Sequence, residues 1–180
     1  MESLKELRVY CESRRIPIIS LATEEFLGKL LRKHKPKICL EIGGAVGYSS
    51  IYVAGVIDTW GGKITSFEIS YPAYQLGLGS HKEAHCYNIR SYPYNALSAP
   101  IKKLMETPVD FIFIDGQKSQ YGEYMEIVEK ISSPHTVIVI DDVIKYHNKL
   151  ISLYGYLQKK QIKYKILKLD PDDGVMVING

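Results

Sequence analysis

Four short runs rich in Ile, Val and Phe each carry an acid at or beside their last residue: Ile38–Ile42 with Glu41, Ile64–Glu68, Val109–Ile114 followed by Asp115, and Thr136–Ile140 followed by Asp141 and Asp142. Helix-period segments lie between them. Continuous apolar runs of strand length alternating with helices are the pattern of an α/β domain built on a largely parallel sheet. In such a sheet ligands bind outside the carboxyl ends of the strands, which is where these acids fall.

The helices expected between the strands are Ala22–His34, with Phe26, Leu27, Leu30 and Leu31 on one face and Pro36 beyond it, then Tyr48–Asp58, Tyr121–Ile131 and His147–Lys160. Tyr71–Glu83 has helical length but carries Pro72, Gly77 and Gly79, which make it irregular. Cys86–Ile89 reads as a short strand and Ala96–Met105 as a short helix. Lys163–Leu169 and Val175–Ile178, joined by the turn Asp170-Pro171-Asp172-Asp173-Gly174, read as an antiparallel hairpin on the sheet edge. Residues 1–180 are expected to form one domain.

Composition narrows the class without choosing a function. The apolar fraction of 46% and charged fraction of 24% are those of a globular chain. The net charge of +3 is too weak a bias to identify a nucleic-acid binder by itself. The 3 cysteines, Cys11, Cys39 and Cys86, are odd in number and scattered, which argues against a disulfide scaffold or a zinc site and for a reducing compartment. Charges interrupt the first residues where a secretory signal needs an apolar stretch, and no window approaches the ~18 apolar residues of a membrane span. A cytoplasmic protein without membrane contact is expected.

Gly43-Gly44-Ala45-Val46-Gly47 follows a strand and precedes a helix, so the backbone can approach a ligand closely. Its spacing differs from the dinucleotide fingerprint, which disfavours a nicotinamide oxidoreductase. Glu41 would repel a pyrophosphate but could accept from the ammonium of an amino-acid-like ligand. Glu68 ends the second strand, where an acid can bind a ribose diol. An adenosyl group joined to an amino acid, as in S-adenosylmethionine, satisfies both.

Leu40-Glu-Ile-Gly-Gly-Ala-Val-Gly-Tyr-Ser-Ser50, Ile64-Thr-Ser-Phe-Glu-Ile69, Val109-Asp-Phe-Ile-Phe-Ile-Asp-Gly-Gln-Lys118 and Val137-Ile-Val-Ile-Asp-Asp142 resemble, in order and spacing, the motifs of class I methyltransferases. More narrowly they resemble the metal-dependent O-methyltransferases that include the catechol and caffeoyl-CoA enzymes and a bacterial tRNA wobble hydroxyuridine methyltransferase. The resemblance implies a Rossmann-like three-layer α/β/α sandwich with seven strands, the last two antiparallel, and a homodimer. It places Glu41, Gly43, Gly47, Tyr48 and Ser49 along the methionine end of the cofactor, Glu68 at the ribose, Ile19 at the entrance, Asn95 and Ala96 near the adenine, and Asp115 where cofactor and metal meet.

Asp115, Asp141 and Asp142 supply hard oxygens that could converge on one Mg²⁺. Lys118 resembles the family's catalytic base, acting beside Asp115; next to a divalent cation and partly desolvated, its pKa would fall far enough to take the acceptor's proton. Three departures stand out: Asp142 replaces a usual Asn, Tyr94-Asn95 replaces Gly-Asp, and Gly44 replaces Thr or Ala. The segment before Ile16 is short, which implies a reduced N-terminal helix and an open site, or a lid from a dimer partner.

Between Asp142 and Asp170 there is no acid, while Lys145, Lys149, Lys159, Lys160, Lys163, Lys165 and Lys168 fall there. A second basic cluster comprises Arg32, Lys33, Lys35 and Lys37. These support RNA or another anion as a partner. Methylation of a small-molecule hydroxyl acceptor, catechol-like or a hydroxycinnamoyl ester, is the first expectation. Methylation of a hydroxylated tRNA base is the second, and cofactor binding without catalysis the third.

Overall fold

The computed structural model describes residues 2–180. In chain order the elements are α1 (Glu2–Ser13), α2 (Leu21–His34), β1 (Ile38–Ile42), α3 (Tyr48–Ile57), β2 (Lys63–Phe67), α4 (Tyr71–Glu83), β3 (Ile89–Tyr92), α5 (Ile101–Leu104), β4 (Val109–Ile114), α6 (Tyr121–Ile131), β5 (Ser132–Ile140), α7 (Ile151–Lys160), β6 (Lys165–Lys168) and β7 (Gly174–Ile178). One seven-stranded sheet has the order β3-β2-β1-β4-β5-β7-β6. The first five strands pair in parallel, and β7 joins β5 and β6 antiparallel.

Side-chain alternation along the strands builds the three layers. Phe111 and Phe113 of β4, with Val137 and Val139 of β5, face a core shared with α1, α2 and α3. Ile112 and Ile114, with Ile138 and Ile140, face the opposite core shared with α6 and α7. At the start of β1, the Asp110 carboxylate accepts from the amides of Lys37 and Ile38 at 2.9 Å each, which joins the entry of β1 to β4.

Several elements differ from the sequence expectation. The third strand lies at Ile89–Tyr92, not Cys86–Ile89. The Ala96–Met105 helix reduces to the single turn Ile101–Leu104, because Pro100 has no N–H and residues 95–99 instead fold around Asn95, whose carbonyl accepts from Ser98 and Ala99. His147–Lys149 forms a 3₁₀ turn ahead of α7. α4 is a regular helix: Ser70 caps it, Pro72 sits in the first turn where its missing N–H costs nothing, and Gly77 packs against the Ala45 carbonyl. The N-terminal segment forms α1, a helix of 12 residues that buries Leu4 and Cys11. Among the described residues no helix is long and apolar enough to cross a membrane.

Candidate functional site

A cavity of about 660 Å³ opens at the carboxyl ends of β1, β2, β4 and β5. Its position follows from the topology, since β1 and β4 are neighbours whose connections leave in opposite directions. Gly43, at φ +99°, turns the chain sharply after β1. A side chain there would collide with the Asp115 carbonyl carbon at 2.6 Å, so only glycine lets the two strand ends approach.

Of the residues expected to bind the cofactor, Ile19, Gly43, Glu68, Asn95, Ala96 and Asp115 line this cavity. Lys118, Asp141 and Asp142 line it as well. Glu41, Gly47, Tyr48 and Ser49 do not. Glu41 is fully buried beneath the glycine loop, accepting from Ser49 Oγ at 2.6 Å and Ser66 Oγ at 2.5 Å. Burial pushes its carboxyl up to about 7, against the pull of those two hydroxyls. Tyr48 turns away from the cavity toward Arg8 and Glu24. Gly47 backs onto His81, whose Nε2 lies 3.0 Å from Ser50 Oγ and whose burial lowers its pKa to about 4.

Glu68 is held in place by the amides of Ala45 at 2.8 Å and Ser70 at 2.6 Å. Both bonds fix the carboxylate at the cavity wall beside the glycine loop. Tyr94 and Asn95 form the adjoining wall, and Tyr94 stacks on Tyr92, which stacks on Phe67.

Also on the cavity wall, Lys118 Nζ lies 2.6 Å from Asp115 Oδ1, 2.6 Å from Asp142 Oδ2 and 2.9 Å from the Tyr121 hydroxyl. Burial alone would lower the lysine pKa, but Asp115, Tyr121 and Asp142 overcome it and hold Lys118 charged. The lowered value that the resemblance implies depends on a neighbouring cation; here the ammonium donates to Asp115, and Asp142 is its second carboxylate partner. Burial raises Asp115, with Lys118 opposing. Burial and the Asp115 charge raise Asp141. Asp142, at φ 62°, is raised by burial and by Asp173, with Lys118 opposing.

Asp173 was read from sequence only as a turn residue. Burial would raise it, but a hydrogen bond with Asp142 and the amides of Gly174, Lys145 and Ile144 hold it below the usual carboxylate range. The signal in the sequence is three acids within four residues, Asp170, Asp172 and Asp173. Tyr124 and Tyr146 also line the cavity without having been singled out. Among the described residues, no three His, Cys, Asp or Glu side chains are gathered closely enough to hold a metal ion; Lys118 stands between Asp115 and Asp142 instead.

A family model described as O-methyltransferase matches residues 1–175. A caffeoyl-CoA O-methyltransferase of Stellaria longipes is 30% identical over 152 residues, covering 79% of this chain and 62% of its own length. A catechol O-methyltransferase of Niastella koreensis is 30% identical over 139 residues, covering 72% and 61%. A caffeoyl-CoA O-methyltransferase of Medicago sativa is 31% identical over 186 residues, covering 94% and 74%. The chain thus spans about three-fifths of the length of the first two. Among solved structures, an O-methyltransferase from Bacillus cereus in complex with SAH aligns with a TM-score of 0.83 at 23% identity, covering 99% of this chain and 90% of that one. SAH-bound Podospora anserina methyltransferase aligns with a TM-score of 0.84 at 18% identity, covering 99% and 88%. These two share the sheet and its flanking helices; the sequence matches go further, and by them the chain belongs to the O-methyltransferase family.

Proposed function

We propose that this chain is an S-adenosylmethionine-dependent O-methyltransferase whose acceptor is a small molecule bearing a hydroxyl, catechol-like or a hydroxycinnamoyl ester. The observation that carries this reading is that one cavity is lined by two sets of residues: Gly43, Glu68 and Asn95, and the Asp115–Lys118–Asp142 cluster. The first set suits an adenosyl amino acid, with an acid for a ribose diol beside a loop that admits close backbone approach. Bound there, S-adenosylmethionine supplies an electrophilic methyl group.

The chain's own residues must present the acceptor oxygen and receive its proton. Asp115 and Asp142 hold Lys118 at the cavity wall, and burial raises both carboxyls, Asp115 to about 6, which puts proton acceptors within one hydrogen bond of the lysine. Holding two reactants in line supplies the rest of the rate, as a proximity effect.

A divalent cation such as Mg²⁺ matches the donor type of this wall, although the carboxylates as they stand are not gathered around one and Lys118 bridges two of them. Asp115, Asp141 and Asp142 are hard oxygen donors, all raised by burial, with one lysine to offset them. They are the residues that would hold it, with Lys118 displaced from between them. When bound, the cation would acidify a hydroxyl nearby and offset the carboxylate charge.

An RNA acceptor is the second reading, favoured by the cavity mouth. Tyr146 lines the cavity, and the ammonium groups of Lys149, Lys118 and Lys145 lie 5.1, 5.7 and 5.8 Å from its ring. Lysines beside an aromatic face suit a stacked base with its phosphate.

Methyl transfer from labelled S-adenosylmethionine to catechols, hydroxycinnamoyl esters and undermodified tRNA, each with and without Mg²⁺, tests these readings together. Calorimetry that finds NAD⁺ bound and S-adenosylmethionine unbound would overturn the proposal.

A further inference from the structure

Residues 17–20 form part of the cavity wall without belonging to any helix or strand. Pro17 has no N–H to give. The segment is tied at its end to the start of α2, where the Ser20 carbonyl accepts from Glu24 N–H at 2.9 Å and Ser20 Oγ from Thr23 N–H at 3.0 Å, and by the buried Ile19 side chain; two longer-range side-chain anchors add to these. Ser20 Oγ donates to Asp170 Oδ2 at 2.6 Å. The carbonyl of Ile19 accepts from Arg8 Nη2 at 3.1 Å.

Arg8 reaches this carbonyl from α1 while engaged on two other elements. Its Nε donates to the Tyr48 hydroxyl at 3.0 Å, and Nη2 also meets Glu24 Oε2 at 3.1 Å. The guanidinium lies over the Tyr48 ring, 4.6 Å from its centroid. Tyr48 is the first residue of α3, directly after the glycine loop, and in turn donates to Glu24 at 2.5 Å. One planar fork with several fixed donors thus joins α1, the wall segment, α2 and the helix that leaves the glycine loop. The Arg8 and Glu24 side chains are 15% and 20% exposed, so the pair is shielded enough for its hydrogen bonds to outweigh those of a surface ion pair.

We propose that Arg8 is a positioning residue for the cofactor: by holding the Ile19 carbonyl it fixes the 17–20 wall against the glycine-loop side of the cavity, without touching the ligand itself. The inference rests on the reading of that cavity as the S-adenosylmethionine site. Losing the anchor frees the wall to sample positions that do not fit the cofactor, and binding weakens by the fraction of time spent there. Once the cofactor is bound and the wall reordered, the Asp115–Lys118–Asp142 cluster is unchanged. Affinity should therefore move while turnover at saturation does not.

The test uses Arg8→Met, which keeps the aliphatic stem and removes every donor, and Arg8→Lys, which keeps the charge but cannot serve three partners at once. Calorimetry with S-adenosylmethionine should show affinity about tenfold weaker in Arg8→Met and an intermediate loss in Arg8→Lys. With an acceptor in hand, KM for the cofactor should rise in parallel, and kcat should stay within about twofold. Hydrogen–deuterium exchange without ligand should quicken in a peptide covering residues 16–20, while peptides from β1 and β4 keep their protection. If Arg8→Met does not fold, Arg8→Lys carries both measurements. Affinity within about twofold of the unmodified protein, or unchanged exchange over residues 16–20, overturns the proposal. An unmodified protein that binds no S-adenosylmethionine removes the cofactor reading and this proposal with it; quickened exchange would then still mark Arg8 as the anchor of the wall, which separates the two failures.

Discussion

Lys118 and Asp115 lie three residues apart and meet at 2.6 Å, with Asp142 at the same distance from the ammonium. The lysine is therefore held charged and fixed in direction at the cavity wall. Replacing it with Met should lower methyl transfer by at least about 100-fold, the scale of a lost acid–base group. Cofactor affinity by calorimetry should stay within about threefold, because Glu68 and Gly43 are untouched. A rate loss below tenfold would show that the carboxylates do not depend on Lys118 to receive the acceptor's proton.

Asp115→Asn with Asp141→Asn removes two hard oxygen charges while preserving shape. After chelator treatment, adding Mg²⁺ should restore methyl transfer in the unmodified protein and do nothing in the double variant. A second readout is independent of activity. Burial and like charge raise both carboxyls, so neutral amides should raise the melting temperature at pH 8 by about 2–4 °C, equivalent to about 1 kcal/mol. Full Mg²⁺ stimulation in the double variant would place the ion elsewhere.

Gly43→Ala forces a side chain into the Asp115 carbonyl at a φ of +99°. Strain and steric overlap together should cost about 2 kcal/mol or more in stability, read from urea unfolding. Cofactor binding should fall below detection, since the overlap pushes the β1 and β4 ends apart at the cavity floor.

Two buried groups behind the glycine loop should give stability an opposed pH dependence. The Glu41 carboxyl is pushed up from 4.5 to about 7, so the folded state holds a proton that the unfolded chain releases. Its contribution is present below pH 4.5 and is lost as pH rises to about 7, by at most about 3 kcal/mol. Glu41→Gln has no such loss, so the unmodified protein should lose stability relative to this variant between pH 5 and pH 8. His81 runs the other way. Its pKa is lowered from 6.5 to about 4, so stability is present above pH 6.5 and falls as pH drops through that range. Thermal melts of both proteins across pH 4–8 read the two slopes, and parallel curves for Glu41→Gln and the unmodified chain would refute the Glu41 assignment.

The sheet was legible because its strands are continuous apolar runs bounded by glycine and acid, a strong local signal at Ile38–Ile42 and Val109–Ile114. Ile89–Tyr92 was misplaced because its side chains are only partly buried and alternate weakly, so register with β2 decides its bounds. The cavity lining was legible where a residue stands at a strand end, as at Glu68, Asp115 and Asp141. It failed where orientation matters. Glu41 and Tyr48 sit at the motif positions, yet their side chains point into the Ser49–Ser66 and Arg8–Glu24 networks, which no spacing argument records. Arg8 and Asp173 were missed for the same reason: each reaches the site across a long stretch of chain.

The hydrogen bond from Ser20 to Asp170 closes the cavity wall with segments 150 positions apart in sequence. Joining such distant segments carries the entropy of closing nearly the whole chain, and only a core already built can offset it. The parallel strands and their helices can therefore assemble first, with the wall sealed afterwards. During synthesis the cavity would stay open until the β6–β7 hairpin is in place, so a ribosome-bound chain halted before Asp170 could carry a formed β1–β5 sheet and still have no closed pocket.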